Sequence, residues 1–204
     1  MNEANNPRIG IVILAAGAST RLGRPKQLLK FQGKSLISRA AETAIAADCG
    51  NVVVVLGANA EVVKKEIENL PLEIAFNENW QSGLSSSIKI GLKKLLEIEN
   101  NLSAVVLTLG DQPLVDAEII LRLVKTRRKT QKMIAACEYE NATGVPAIFS
   151  REMFAELLNL QTDAGARVLI KKYAASEVAK IAVPEAAIDI DTMEDYEKLL
   201  DSET

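Results

Sequence analysis

The chain has 204 residues, of which 48% are hydrophobic, 25% charged and 4% aromatic. This length suits one domain, and we expect a single domain over residues 1–204 that begins with a flexible tail at residues 1–8. The apolar content is mostly aliphatic, which favours a parallel sheet covered by helices. The net charge of −3 and the scattered lysines and arginines argue against a nucleic-acid partner.

The sequence contains no histidine. This excludes Ser-His-Asp and Cys-His catalysis and histidine-ligated zinc, so any chemistry must use carboxylates, Lys, Arg, hydroxyls and backbone amides. The two cysteines, Cys49 and Cys137, lie far apart in apolar stretches, and we expect free thiols in a reducing cytosol. Residues 1–8 carry no signal peptide, and the longest apolar run is too short to span a membrane. We therefore expect a cytoplasmic protein with no membrane partner.

In the first half of the chain, apolar runs of strand character alternate with segments of helical period. They predict a strand at residues 8–16, a helix at 35–47 with Ser35 as its N-cap, a strand at 51–57, a helix at 60–69, a strand at 72–77 and a helix at 85–97. Strand, helix and strand in this order are typical of βαβ units.

The second half continues the alternation. The pattern predicts a strand at 102–110, a helix at 116–129, strands at 132–139 and 145–150 around a flap-like loop at 140–144, helices at 151–159 and 164–173, strands at 178–183 and 187–191, and a last helix from Thr192. We therefore expect a Rossmann-like, doubly wound α/β fold whose mostly parallel sheet has helices on both faces. In such sheets ligands bind beyond the carboxyl ends of the strands.

The stretch VILAAGASTRLGRPKQLLKF at residues 12–31 breaks an apolar strand with a loop of small and basic residues. It does not match GxGxxG, because Ser19 follows Gly17 where a second glycine is needed. Small residues let backbone N–H groups approach an anion, and Arg21 and Lys26 add two cations nearby. The loop therefore suits a triphosphate, although a mobile basic turn is the alternative.

Five stretches carry a resemblance to a known family. LAAGASTRLGRPKQLL resembles the signature loop of nucleotidyltransferases that share an NTP-transferase domain. Three later stretches resemble segments of the molybdenum cofactor cytidylyltransferase branch of this family: NENWQSGLSSSIKIGL, LTLGDQPLV and TGVPAIFSREMFAELLNLQTDAGARVLI. The tail DIDTMEDYEKL resembles the closing segment of the family, with Met193 where proline is usual.

The resemblance implies the nucleotide-diphospho-sugar transferase fold and a reaction in which a substrate phosphate attacks the α-phosphorus of an NTP. Pyrophosphate leaves, and no general base is needed because a phosphate monoester is largely ionised at pH 7. Arg21, Lys26 and Asp111 are the implied catalytic residues. The implied nucleotide-binding residues are Leu14, Ala15, Ala16, Gly17, Arg21, Lys26, Ser85, Ser87 and Asp111.

The expected cofactor is Mg²⁺, which takes oxygen ligands from one or two carboxylates, phosphates and waters. Asp111, at the end of an apolar strand, is the leading ligand candidate, and a turn cap is its structural alternative. Asp189 and Asp191 share one side of the predicted strand at 187–191. The resemblance favours Asp191 as second ligand, which leaves Asp189 to cap the last helix. Trp80 is expected in the core.

The base and the acceptor are predicted less directly. In the resembled family, the guanylyl-transferring branch usually reads LAGG in the first loop, with a smaller residue at the position of Ala16, and the extra methyl here would crowd a purine. Ser85, Ser86 and Ser87 suit either a helix cap or contacts to a base edge, so the resemblance favours CTP over GTP. The acceptor implied by the resemblance is molybdopterin or the molybdenum cofactor, with a molybdoenzyme or its maturation chaperone as a further partner. Another branch member transferring GMP, an enzyme acting on a sugar or polyol phosphate, and a non-catalytic cofactor carrier remain open.

The acceptor side is expected around residues 144–146. There Gly144 and Val145 shape a wall, and Asp163 and Arg167 brace it with a salt bridge or contact the acceptor.

Overall fold

The structure, a computed structural model, describes residues 8–139, 142–161 and 163–201. Its strands are β1 Ile9–Ala15, β2 Lys30–Phe31, β3 Lys34–Ser35, β4 Val52–Leu56, β5 Glu73–Phe76, β6 Ala104–Leu109, β7 Ile134–Tyr139, β8 Ala142–Ser150 and β9 Val178–Ala182. Its α-helices are α1 Leu36–Ala46, α2 Ala60–Lys64, α3 Leu84–Ile98, α4 Ala117–Thr130, α5 Phe154–Leu158, α6 Arg167–Lys172 and α7 Met193–Asp201.

Seven strands form one sheet in the order β5-β4-β1-β6-β8-β7-β9, while β2 and β3 pair as a separate hairpin. Only β8 runs antiparallel to its neighbours β6 and β7. The other pairs are parallel, with Ile13 beside Val54 on one side and Thr108 on the other. The predicted fold class, doubly wound and mostly parallel, is confirmed.

The side chains of β1 alternate between the two faces of the sheet, as the period of a strand requires. Ile11 and Ile13 pack into the apolar layer beneath α1, α2 and α4. Val12 and Leu14 pack into the opposite layer, beneath α3, α5 and α6. Both layers bury their strands, which explains the uninterrupted apolar runs in the sequence.

A third, smaller apolar cluster positions the site. It consists of Leu22, Leu29, Phe31, Leu36, Ile190 and Leu199. These residues come from the signature loop, the hairpin, the start of α1 and the C-terminal segment. Their burial holds the segment before α7 against the signature loop, although about 170 residues separate them in the chain.

Three element predictions are wrong. Residues 187–191 form no strand, because a 3-10 turn at Pro184–Ala187 leads directly into a coil. The helix predicted at 60–69 ends at Lys64. Ala142 and Gly144 belong to β8 and not to a flap, while residues 140 and 141 of that flap lie outside the described residues.

The predicted N-cap of α1 is confirmed, since Ser35 accepts a hydrogen bond from the backbone N–H of Ser38. Asp116 caps α4 in the same way and accepts a hydrogen bond from the backbone N–H of Ile119. Thr192 and Asp195, rather than Asp189, cap the last helix by reciprocal side-chain to backbone bonds.

Residues 1–7 of the predicted tail lie outside the described residues. Arg8, the last residue of that tail, is hydrogen-bonded: its carbonyl accepts from the N–H of Ser103 at 2.8 Å and from the hydroxyl of Ser103 at 3.0 Å. Cys49 and Cys137 are free thiols, as predicted. Burial raises the pKa of the Cys137 thiol to about 12. Across the described part of the chain, no helix is long and apolar enough to cross a membrane.

Candidate active site

The signature loop leaves the carboxyl end of β1 and folds around the side chain of Gln27. This glutamine is 2% exposed, and its Nε2 donates to the carbonyls of Ala15 at 2.9 Å and Gly17 at 3.0 Å. Ser19 adopts a left-handed conformation with φ 56°, and its hydroxyl accepts a hydrogen bond from the Lys26 N–H at 3.0 Å. These hydrogen bonds stabilise one defined conformation of the loop. Sequence reasoning missed Gln27, because a glutamine in a polar loop gives no signal of burial.

Replacing Gln27 by methionine tests this account of the loop. The substitution leaves the carbonyls of Ala15 and Gly17 without their buried donor, so we expect a loss of about 1–3 kcal/mol in the free energy of unfolding. Urea denaturation measures it. Gln81→Met, at an exposed position in the 3-10 turn Trp80–Ser82, serves as the matched control with an effect within about 0.5 kcal/mol. Equal effects of the two substitutions contradict the proposed role of Gln27.

Four charged side chains converge beside the loop. The Lys26 ammonium forms ion pairs with both Asp111, which follows β6, and Asp191, which precedes α7; its Nζ lies 2.8 Å from Asp191 Oδ1. Arg21 Nη1 lies 2.9 Å from the other oxygen of Asp191. Lys26 and Asp111 are largely buried, with side-chain exposures of 16% and 13%, whereas Asp191 is 43% exposed. Side chains that the sequence analysis proposed as catalytic or metal-binding, from three distant stretches, thus meet in one network.

The network shifts the pKa values of its members. Burial raises the pKa of Asp111, and the nearby carboxylates of Asp189 and Asp191 raise it further, against the attraction of Lys26. Burial alone lowers the pKa of Lys26, but the two carboxylates outweigh it and hold the ammonium charged. The hydrogen bond from Lys26 lowers the pKa of Asp191. The Lys26 ammonium therefore balances the negative charge of Asp111 and Asp191, and the same lysine lines an open cleft.

A cleft of about 330 Å³ opens above this network at the carboxyl ends of β1 and β6. The predicted residues in its wall are Leu14, Ala15, Ala16, Gly17, Lys26, Ser87, Asp111, Asp189 and Asp191. Arg21 reaches the site through its ion pair with Asp191. Ser85 is buried in the first turn of α3 and does not line the cleft.

The opposite wall comes from the segment before α3. Asn77 is 1% exposed and donates from Nδ2 to the hydroxyls of Ser86 at 2.8 Å and Ser87 at 2.9 Å, which fixes both serines. Trp80 is half-buried and lines the cleft, so its predicted place in the core is wrong in part. A Cβ at Gly57 would lie 2.8 Å from the Ala16 Cβ and 2.7 Å from the Trp80 Cβ. The Ala16 methyl and the Trp80 side chain therefore both pack against Gly57.

A second cavity of about 330 Å³ adjoins the cleft, and both are lined by Leu14, Leu84, Leu109 and Asp189. Val145 and Arg167 line it, as predicted for the acceptor wall. Asp163 forms no ion pair with Arg167 in the described structure. It lies against Gly83, where an added Cβ would be 2.5 Å from Asp163 Oδ1. Of the two roles predicted for this pair, the salt bridge is not formed, and contact with the acceptor stays a prediction.

The donor set fits a divalent cation. Asp111 Oδ1 is buried and has no hydrogen-bond partner among the described residues, and Asp111 and Asp191 already share one cation, the Lys26 ammonium. Within the described ranges, no group of three or more His, Cys, Asp or Glu side chains forms a complete protein cage. Mg²⁺ and Mn²⁺ are suited to one or two carboxylates completed by phosphates and waters, which is what this site offers.

Known proteins resemble the chain over most of its length. Rv0371c of Mycobacterium tuberculosis superposes with a TM-score of 0.82 at 30% identity, covering 97% of this chain and 99% of that one. A second structure of Rv0371c, in complex with manganese, gives a TM-score of 0.78 at 29% identity, covering 96% of this chain and 99% of that one. The nicotine blue oxidoreductase of Paenarthrobacter nicotinovorans is 32% identical over 98% of this chain and 100% of its own.

The sheet order is that of the nucleotide-diphospho-sugar transferase fold, and the match to an NTP transferase family model makes the chain a nucleotidyltransferase by family. The family model of the MobA-like NTP transferase domain matches residues 11–178, and the chain belongs to that family.

Proposed function

We propose that the protein transfers CMP from CTP to a phosphate monoester, with molybdopterin or the molybdenum cofactor as the acceptor, and releases pyrophosphate. The observation that carries this proposal is the junction of the two cavities beside Lys26, Asp111 and Asp191. One cavity accommodates the nucleotide and the other the acceptor, so the two phosphates meet where the charges converge. The product would pass to a molybdoenzyme or its maturation chaperone.

The reaction needs positioning and charge neutralisation more than proton transfer. An oxygen of the acceptor phosphate forms a bond to the α-phosphorus, the bond from the α-phosphorus to the bridging oxygen breaks, and pyrophosphate leaves with that electron pair. Backbone N–H groups around Gly17 meet the phosphates, since a Cβ at Gly17 would find nothing within 4 Å and the loop is open there. Arg21 and Lys26 neutralise the β- and γ-phosphates and the charge that develops on the leaving group.

Asp111 and Asp191 would hold the divalent cation, and we propose Mg²⁺ as the physiological ion. When bound, this cation supplies Lewis-acid stabilisation of phosphate charge. Asp189, which borders both cavities, faces the place where the acceptor phosphate enters.

The choice of CTP over GTP has a geometric rationale. Ala16, Trp80 and Ser87 line the cleft, and Asn77 fixes the hydroxyl of Ser87 there. A pyrimidine leaves more room there than a purine. Guanylyl transfer is the alternative within the same family.

A panel of nucleoside triphosphates tests this choice. Thermal shift with Mg²⁺ reports binding directly, because a ligand raises stability in proportion to the logarithm of its concentration over its Kd. We expect CTP to give the largest shift, and pyrophosphate release to appear with CTP plus molybdopterin. Turnover with GTP and none with CTP overturns the base assignment. Turnover only with a sugar or polyol phosphate overturns the acceptor.

A second candidate function rests on the 32% identity to nicotine blue oxidoreductase over 98% of this chain. Cys137 is buried and not paired with Cys49, so the described residues offer no dithiol for redox chemistry. An oxidoreductase built on this chain would require a bound redox cofactor. Oxidation of NADH or NADPH in the presence of an organic dye, with no pyrophosphate release from any triphosphate, supports this candidate over nucleotidyl transfer.

A further inference from the structure

The carboxylate oxygens that a divalent cation would need are in contact with side-chain cations. Asp111 Oδ2 forms an ion pair with the Lys26 ammonium, which also lies 2.8 Å from Asp191 Oδ1. Arg21 Nη1 lies 2.9 Å from Asp191 Oδ2. The fourth oxygen, Asp111 Oδ1, is buried, so a cation that enters from the cleft would meet Oδ2. Lys26 thus bridges the two carboxylates, whereas the contact of Arg21 is with Asp191.

The Lys26 ammonium and a divalent cation compete for this place. Mg²⁺ takes oxygen ligands at about 2.1 Å, so a cation held by the same oxygens would lie against the ammonium. Two positive charges at such a separation repel each other, most strongly where water is excluded. The side chains of Lys26 and Asp111 are 16% and 13% exposed, so water screens this repulsion poorly. The site can therefore bind the cation only if the ammonium moves.

The protein's own charges nearly balance at this site. Arg21 and Lys26 offset Asp111 and Asp191, and the exposed carboxylate of Asp189 in the cleft wall leaves one negative charge in excess. A divalent cation alone therefore finds little net attraction here. A triphosphate brings several negative charges into the cleft, and phosphate oxygens are strong partners for an ammonium group. Its binding would both draw Lys26 away and supply the charge that attracts the cation.

The structure of the loop allows Lys26 to change partners. The backbone N–H of Lys26 donates to the Ser19 hydroxyl at 3.0 Å, which fixes the base of the side chain. The ammonium lies at the end of a flexible four-carbon stem in the cleft wall, so it can turn toward phosphates while the loop keeps its conformation. Arg21 differs, because its side chain is 71% exposed and water screens its contact with Asp191.

We propose that Lys26 makes cation binding depend on the nucleotide: its ammonium keeps a divalent cation off Asp111 and Asp191 until the phosphates of a triphosphate draw the ammonium away. The coupling is reciprocal, so the bound cation in turn strengthens binding of the triphosphate. The inference rests on the proposed function for its two ligands, a triphosphate and a divalent cation, and adds that the protein alone does not take up the cation.

Mn²⁺ titrations of the nucleotide-free protein test the proposal at about pH 8, well above the ordinary pKa of a carboxyl group. The signal of free Mn²⁺ in electron paramagnetic resonance reports binding. Lys26→Met removes the ammonium and is expected to bind Mn²⁺ at least about tenfold more tightly than the unmodified protein. Arg21→Met should gain less than about threefold, because the exposed guanidinium contacts Asp191 alone. Lys30→Met, at an exposed position that does not line the cleft, should leave the affinity unchanged. Adding Asp111→Asn to Lys26→Met should abolish the gain.

A second comparison does not use Lys26→Met, so it decides the question if that variant folds poorly. In the nucleotide-free protein, Asp111→Asn is expected to change Mn²⁺ affinity by less than about threefold, because Lys26 already blocks this carboxylate; with CTP present the same substitution should weaken Mn²⁺ binding. A larger loss in the nucleotide-free protein overturns the proposal.

Three further results overturn it: equal Mn²⁺ affinity of the unmodified protein and folded Lys26→Met, an equal gain in Arg21→Met, or a gain that persists when Asp111→Asn is added. An equal gain in Arg21→Met would mean that only the total charge of the site matters. Titration of CTP with Mn²⁺ on the same samples separates the two hypotheses. Absent CTP binding counts against nucleotidyl transfer, while intact CTP binding with tight Mn²⁺ binding by the nucleotide-free protein counts against the role of Lys26 alone.

Discussion

Asp111→Asn is expected to lower the rate of pyrophosphate release by about three orders of magnitude or more while leaving the fold intact. The carboxylate lines the cleft beside Lys26 and is a proposed ligand of the divalent cation. A neutral amide binds a hard cation more weakly than a carboxylate and does not neutralise the charge of Lys26. Stability should change by no more than about 1 kcal/mol, because burial already disfavours the charge at this position and Lys26 retains Asp191.

Steady-state pyrophosphate release with CTP and acceptor measures the activity, and urea denaturation measures the stability. Asp116→Asn is the matched control, since Asn also caps a helix and Asp116 lies outside the cleft; its activity should stay unchanged. Calorimetric titration with Mn²⁺ in the presence of CTP should show weaker metal binding in Asp111→Asn alone. Full turnover of this variant at physiological Mg²⁺ would remove Asp111 from the metal site.

The fold was largely predictable because its central strands are uninterrupted apolar runs in the sequence. Runs such as Val52–Leu56 and Ala104–Leu109 are buried in the sheet, and such runs are typical of a sheet covered by helices on both faces. The failure at residues 187–191 has a physical cause. Ile188 and Ile190 alternate with Asp189 and Asp191 as in a strand, but the segment is held by tertiary contacts: Ile190 packs in the third cluster, and its N–H donates to the Asp111 carbonyl at 3.2 Å.

The charged residues of the site were predictable, but their arrangement was not. Strand ends place Lys26 and Asp111 at one edge of the sheet, as expected for this topology. No pattern indicates that Lys26 bridges Asp111 and Asp191, because that contact depends on how the last segment packs. The two buried glutamines, Gln27 and Gln112, were missed for another reason. Their amides donate hydrogen bonds to backbone carbonyls that are distant in the sequence or lie in the same loop. Such contacts produce no periodic pattern in the sequence.

Lys26→Ala is expected to reduce pyrophosphate release by about two to three orders of magnitude and, unlike Asp111→Asn, to lower stability as well. The ammonium is the largely buried cation of the site and the proposed partner of the triphosphate, so its loss removes charge stabilisation where charge develops. It also leaves Asp111 buried without its ion pair, which should cost about 2 kcal/mol of unfolding free energy and raise the pKa of that carboxyl further.

A double variant separates these two effects. Lys26→Ala combined with Asp111→Asn removes both charges, so it should regain much of the stability lost in Lys26→Ala and none of the activity. Lys30→Ala is the matched control and should keep full activity. Lys30 is exposed, follows Lys26 by four residues, and does not line the cleft. A loss of less than about tenfold in Lys26→Ala would show that Lys26 only balances Asp111 and Asp191. The phosphate charge would then fall to Arg21 and the backbone of the loop, and catalysis would depend on the loop geometry that Gln27 maintains.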